Sequence, residues 1–431
     1  VPTMLRLISR PLARLALLGA LLAMAVPAGL SHAADVITIT VVGNEGPAMK
    51  GGLPTYWQSF EKAYPNIKIR DLLATSGLDQ TKLLAAGNPP DLLVGGDVWS
   101  AQYAPYLEPL DGYAKNEGTG YLKQFDPVVM QRMNYRGALL WLPLYYQVSL
   151  LYYNKDLFDQ AKLAYPTANW TYQTMINAGQ KLTKHDAAGK VTQWGAETVF
   201  GWWGEWGNVW LNMMGGRFIT QGRVSMNTPQ AVKALTLFQQ KVTPGPKQWS
   251  PGVNDSDLGG FAGGKVAMII GGHVGTWPSL LQSPKLKHWD IAPLPKGPTG
   301  DRGGEFAIQG YGISKFSKHK GAAWLALKWL VSAQGAGGIK YQEQGPVALT
   351  SLMQKEVAVP HAKRLSPQNT EALQVMRDSA VRYSYDPDLI PLYINVAQPD
   401  INKLMAGKLT ATQAAEQIEK DANAYYDSVG R

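Results

Sequence analysis

Apolar and polar residues change period several times along the chain, and each change marks an element. Val36-Ile37-Thr38-Ile39-Thr40-Val41-Val42 is β-branched and partly alternating, so it reads as a strand, which Asn44-Glu45-Gly46-Pro47 ends. Leu53, Tyr56, Trp57, Phe60 and Tyr64 then recur at helical spacing until Pro65 stops them, and Ile67-Lys68-Ile69-Arg70 alternates as a second strand. A helical stretch from Leu78 to Ala86 leads through Asn88-Pro89-Pro90 to the short apolar run Asp91-Leu92-Leu93-Val94. This β-α-β-α-β order specifies a parallel sheet covered by helices. In such sheets ligands sit beyond the carboxyl ends of the strands, which singles out Asn44, Glu45, Asp97 and Trp99.

The alternation continues downstream. Leu139 to Tyr153 is aromatic and apolar, with Pro143 and Gln147 inside it, and helical patterns resume at Asp156. Helices are expected near Pro229–Lys241 and Gly321–Val331, and strands at Val266–Ile270 and Ala307–Ser314. No repeat or low-complexity linker separates two sequential domains. Two lobes built from a chain that crosses between them several times would leave this trace.

The first thirty or so residues differ from the rest. Arg6, Arg10 and Arg14 make a basic start, Leu15 to Val26 an apolar stretch, and Ser31-His32-Ala33 a small-residue cleavage site, the pattern of a secretory signal peptide over 1–33. Pro27, Ser31, His32 and Asp35 interrupt the run too early for a membrane-spanning helix, which needs about 18 apolar residues. The mature chain is then expected to be a soluble, exported protein. The absence of cysteine removes disulfides, thiolate metal sites and a lipid-bearing N-terminal Cys, so the expected location is periplasmic or secreted. Without the leader about 400 residues remain, too many for one core and comfortable for two.

Charge and candidate chemistry narrow the classes. The net charge of +9 includes the three leader arginines, and the other basic residues are scattered in short clusters such as Ser317-Lys318-His319-Lys320, which read as solvated faces and not as a nucleic-acid track. Gly259, Gly264 and Lys265 stand at phosphate-loop spacing, but Val266 occupies the position of the magnesium-binding hydroxyl and the segment precedes an apolar strand, so the match is rejected. The six histidines are isolated, without zinc-site spacing, and no metal or cofactor is expected. His273 stands apart because it lies in a glycine-rich turn after a buried strand, where backbone hydrogen bonding and ligand contact are equally available readings.

Five of the fourteen tryptophans fall between Trp194 and Trp210. Trp206 and Trp210 are one helical turn apart and are expected to face a core, whereas Trp202 and Trp203 are consecutive, flanked by glycines, and cannot both point inward. An aromatic ring offers a pyranose a flat apolar partner, and Glu205, Asn208 or Asp97 could take its hydroxyl groups.

With these residues assembled, the chain resembles the family 1 extracellular solute-binding proteins of ABC importers, the group of maltodextrin- and glycerol-3-phosphate-type receptors. Four stretches in order carry the likeness: Leu83–Leu93, Leu150–Phe158, Phe261–Ile270 with Gly271-Gly272 and Trp277, and Ile313 to Leu330 with Ala322-Ala323-Trp324. Pro293-Leu294-Pro295 resembles the proline-rich turn between the last two. The resemblance implies an α/β, two-lobed periplasmic-binding-protein type II fold, each lobe a mainly parallel sheet covered by helices, with Leu142–Asn154 and Glu305–Ser314 as hinge crossings. It places the N-terminal lobe at 34–146 and 308–350 and the C-terminal lobe at 147–307 and 351–431. It implies ligand contacts from Asn44 and Glu45, from Asp97 and Trp99, from Tyr145, Tyr146, Gln147, Gln309 and Tyr311 on the crossings, and from His273 and Trp277. The tryptophan pair usual after the first strand is absent, replaced by Gly43-Asn44-Glu45, which moves that stacking platform to Trp202 and Trp203.

The expected function is therefore non-enzymatic: a monomeric receptor that captures a sugar or short oligosaccharide between its lobes and delivers it to the importer's permease subunits, with no nucleic-acid partner. One alternative is a glycerol-3-phosphate-like or other anionic solute, met by Arg382 and His273. Another is a secreted carbohydrate-active enzyme, for which Glu45, Asp97, Glu205 and Glu305 are the available carboxylates.

Overall fold

The computed structural model describes residues 35–42, 55–72, 80–197, 204–251, 260–273, 280, 283–338, 348, 367–380 and 389–428. The expected leader at 1–33 lies outside them. Among the described residues no helix is long and apolar enough to cross a membrane.

Two sheets organise the chain. The first has five strands, β1 (Ile37–Val41), β2 (Ile67–Asp71), β3 (Leu92–Gly96), β4 (Leu142–Val148) and, from much later, Phe306–Ile313. The second has three, β5 (Leu150–Asn154), β6 (Met268–Gly272) and β7 (Trp289–Ala292), so that Phe306–Ile313 is β8. Their spatial orders are β2-β1-β3-β8-β4 and β6-β5-β7.

Strand direction follows from where each strand meets the gap between the sheets. In the first sheet β1 pairs parallel with β2 and β3, and β8 runs antiparallel to β3 and β4. In the second, β5 runs antiparallel to both β6 and β7, while bridges from Trp194 and Glu197 extend β6 in its own direction. Each sheet thus has one reversed strand. Strands that end at the junction are mutually parallel, and the two that start there, β5 and β8, must run the other way. The single residue Ser149 separates β4 from β5, so one extended run serves both sheets.

The helices cover these sheets by burying one apolar stripe each. Helix Thr55–Ala63 turns Trp57 and Phe60 inward, and the Phe60 ring lies 6.0 Å from Trp329 of helix Lys320–Val331, whose small Ala322, Ala323 and Ala326 let it approach the first sheet. In the second lobe helix Pro229–Val242 starts at Thr228, whose hydroxyl accepts from the Ala231 amide at 3.2 Å, with Pro229 at the first position. It packs on Gly204–Leu211, a π-helical turn, and on the long helix Ala411–Ser428. Helix Pro367–Ala380 contacts β4, β5 and β7, and so touches both sheets.

The sequence-based expectations for β1, β2, both long helices and β8 agree with these elements to within two residues. The strand expected at Val266–Ile270 is displaced to Met268–Gly272. Val266 only bridges Trp194, because it is still leaving the turn at Phe261–Gly264, where Gly264 has φ +76°.

Candidate functional site

The site is built where β3, β4 and β6 end and β5 and β8 begin. Asp97 follows β3 directly and its side chain is fully buried. One carboxylate oxygen accepts from the backbone amides of Val98 at 2.9 Å and Ile308 at 3.0 Å, and the other from the Arg132 guanidinium at 3.3 Å. Burial pushes the Asp97 carboxyl up to about 6; Arg132 and the two amides oppose the rise, and the charge of Glu305 adds to it. The close pairing of β3 with β8 depends on Gly96, since a Cβ there would lie 1.7 Å from the Ile308 carbonyl oxygen.

Arg132 ends the short helix Pro127–Arg132, which Asp126 caps by accepting from the Val128 and Val129 amides at 2.8 and 3.3 Å. Besides Asp97 it donates to the Phe306 carbonyl, and its guanidinium stands 5.1 Å over the Phe306 ring. That ring lies 5.1 Å from Tyr146, over which Arg377 stands at 5.9 Å, and Arg377 returns to Asp126 as an ion pair. Two guanidinium groups, two rings and the Asp126 carboxylate therefore close a loop that ties β4, β8, helix Pro127–Arg132 and helix Pro367–Ala380 together, with Asp97 branching from Arg132.

On the other side of the junction the His273 Nε2 lies 2.8 Å from a Glu305 carboxylate oxygen. His273 follows β6, and its carbonyl accepts from the Tyr152 hydroxyl at 2.7 Å. Glu305 precedes β8, donates its amide to the Ser149 hydroxyl at 2.9 Å and accepts the Ser149 amide at 3.2 Å. The two crossings are thus hydrogen-bonded to each other at the point where both leave one sheet for the other.

The residues expected from the sequence divide unevenly. Asp97, Tyr146, Gln147, His273 and Gln309 are brought to the junction ends of β3, β4, β6 and β8, whereas Tyr311 lies farther along β8, opposite Leu142 and Val94 and away from the junction. Strand alternation, with Gln147 opposite Ala307 and Tyr146 opposite Ile308, puts Gln147 and Gln309 on one face with Tyr145, and Tyr146 on the other, against Phe306. Gln147 and Gln309 are half-buried; Tyr146 and Tyr311 are enclosed, and burial pushes the Tyr146 hydroxyl up to about 12. Trp99 is half-buried and stacks on Tyr103 at 6.0 Å. Glu205 differs from the reading that it meets ligand hydroxyls: it is 1% exposed, pairs with the buried Lys241 and accepts from the Trp210 indole at 3.2 Å. Asn44, Glu45, Trp202, Trp203 and Trp277 lie outside the described residues, as does Arg382.

Sequence reasoning passed over Arg132, Arg377, Phe306 and Ser149. The Asp126-Pro127 start of Arg132's helix was a readable capping signal. Arg377 had none, because its partner is 251 positions away.

Residues 43–337 match the family model described as bacterial extracellular solute-binding protein. The chain belongs to that family. A putative binding protein of Brucella abortus is 31% identical over 265 residues, covering 57% of this chain and 59% of its own length. The chain thus spans about three fifths of the length of that relative. The mannitol-binding protein of Pseudomonas aeruginosa is 31% identical over 151 residues, a third of each chain. Among solved structures, the ABC substrate-binding protein Lmo0181 of Listeria monocytogenes, in complex with cycloalternan, superposes with a TM-score of 0.75 at 22% identity, over 92% of this chain and all of that one. This extracellular solute-binding protein accordingly has the two-lobed α/β fold.

Proposed function

We propose that the chain captures a neutral sugar or polyol between its lobes and hands it to the permease of an ABC importer. The observation that carries the choice of ligand is pairwise compensation of charge at the junction. Arg132 is ion-paired with Asp97 and Arg377 with Asp126, and Glu305, beside His273, adds a third carboxylate. An anionic solute would have to compete with three resident carboxylates, whereas a neutral ligand asks only for hydrogen bonds and apolar rings. Similarity to a mannitol-binding protein and to a receptor holding cycloalternan supports the same class. Asn44, Glu45, Trp99, Gln147, Gln309, Trp202, Trp203 and Trp277 are the proposed contacts, and micromolar affinity asks for about 8 kcal/mol from them.

The same reading makes the protein a non-enzymatic, exported monomer, released from a leader at 1–33 into the periplasm or the medium. A thermal-shift panel of maltose, mannitol, ribitol, glycerol-3-phosphate and amino acids tests the ligand class. Stabilisation by a sugar or polyol supports it; stabilisation only by glycerol-3-phosphate or only by amino acids overturns it. Release of reducing ends from oligosaccharides by the purified protein would overturn the non-enzymatic part.

A further inference from the structure

The π-helical turn Gly204–Leu211 carries two buried polar side chains with different fates, and helices widened in this way concentrate at functional sites. The carboxylate of Glu205 is satisfied by Lys241 and Trp210. Asn208 is 7% exposed, yet its side-chain nitrogen Nδ2 has no hydrogen-bond partner among the described residues. Native proteins seldom keep a buried donor unpaired without an occupant for it.

The position of Asn208 says which occupant. Its backbone carbonyl accepts from the Gly304 amide at 2.6 Å, immediately before Glu305. The neighbouring Val209 lies against Gly271, where a Cβ would come within 2.8 Å of its methyl group, two residues before His273. The turn bearing His273 and the crossing bearing Glu305 therefore both rest on this part of the helix. The other two polar candidates, Glu205 and Asp97, already hold a lysine and an arginine. The amide of Asn208 is the donor left over.

We propose that Asn208 is a ligand-binding residue whose Nδ2 donates a hydrogen bond to an oxygen of the captured sugar or polyol. The assignment rests on the neutral-ligand reading above. A neutral amide suits it, because it can meet a hydroxyl or ring oxygen without adding charge to a junction where charges are already paired.

Calorimetric titration of wild type, Asn208→Leu and Asn208→Ala with maltose, mannitol and ribitol tests the proposal. The probe that binds wild type should bind both variants at least tenfold more weakly, with unchanged melting temperatures. Its monodeoxy derivatives separate contact from packing: one of them should lose affinity for wild type and lose nothing further on Asn208→Leu. On ¹⁵N-labelled wild type, which needs no variant to fold, saturating probe should shift and protect the Asn208 side-chain amide. Unchanged variant affinity, or an amide resonance that ignores the ligand, assigns the position to an ordered water and overturns the proposal alone. Failure of wild type to bind any of the three probes overturns it together with the neutral-ligand reading.

Discussion

His273 and Glu305 meet at 2.8 Å, so the turn that ends β6 is tied to the residue that opens β8. The pair joins a fixed part of the second lobe to a crossing, and a ligand that contacts both lobes shifts the population toward closure only by its differential affinity for the closed state. Glu305→Gln removes one compensating carboxylate while leaving the strand register intact. Its affinity for a neutral probe should fall less than tenfold and its affinity for glycerol-3-phosphate should rise. Titration of both ligands checks this, and scattering with saturating neutral ligand should still show a smaller radius of gyration than without it.

The pH dependence of stability should carry the signature of Asp97. Its carboxyl is raised in the folded state to about 6, so the protonated form is favoured by folding. The stabilising contribution is full below the unfolded value near 4 and is lost as the pH rises through about 6. Its size is on the order of 3 kcal/mol. Melting curves of wild type between pH 4 and 7.5 should show this slope, and Asp97→Asn should flatten it. Because the charge of Glu305 contributes to the rise, Glu305→Gln should move the midpoint to lower pH.

Lys241 is wholly buried, donates to Glu205 and to the Glu197 carbonyl at 3.1 Å, and stands 5.7 Å over Trp249. Burial holds its amine below the ordinary lysine range, while Glu205 opposes that shift. Lys241→Met strands a buried carboxylate and should cost about 3–5 kcal/mol. The double variant Lys241→Met, Glu205→Gln should recover a large part of that in denaturant unfolding.

Gly96→Ala puts a methyl group 1.7 Å from the Ile308 carbonyl oxygen, backbone against backbone, with no flexible side chain to yield. The expected cost exceeds about 3 kcal/mol and shows as loss of cooperative melting. Gly112→Ala is the control. It lies exposed in helix Asp111–Asn116 with nothing within 4 Å of the added Cβ, and should stabilise by about 0.5 kcal/mol.

What the sequence made legible was period. The alternation at Ile67–Arg70 and the helical spacing at Pro229–Lys241 are local properties of the chain, and their elements formed where expected. Trp206 and Trp210, one turn apart, are both in the core. The parallel direction of β1, β2 and β3 was readable from the β-α-β order, but the reversal of β5 and β8 was not, since their apolar runs would look the same in either sense. Nor were the pairs that build the site. Asp97 and Arg132 are 35 positions apart, and each alone has the appearance of a solvated charge. Lys241 sits in an otherwise amphipathic helix, where one inward lysine cannot be told from an outward one until Glu205 is beside it.

The placement of β8 between β3 and β4 has a consequence for the order in which the chain can be completed. All three described strands of the second sheet have been made by Ala292, but the first sheet has a gap between β3 and β4 until residues 306–313 follow. During synthesis β3 and β4 would each present a bare hydrogen-bonding edge, the kind that templates pairing with other chains. The sheet begun first is therefore the sheet finished last, and those two edges are what a holding chaperone would have to cover until residues 306–313 arrive.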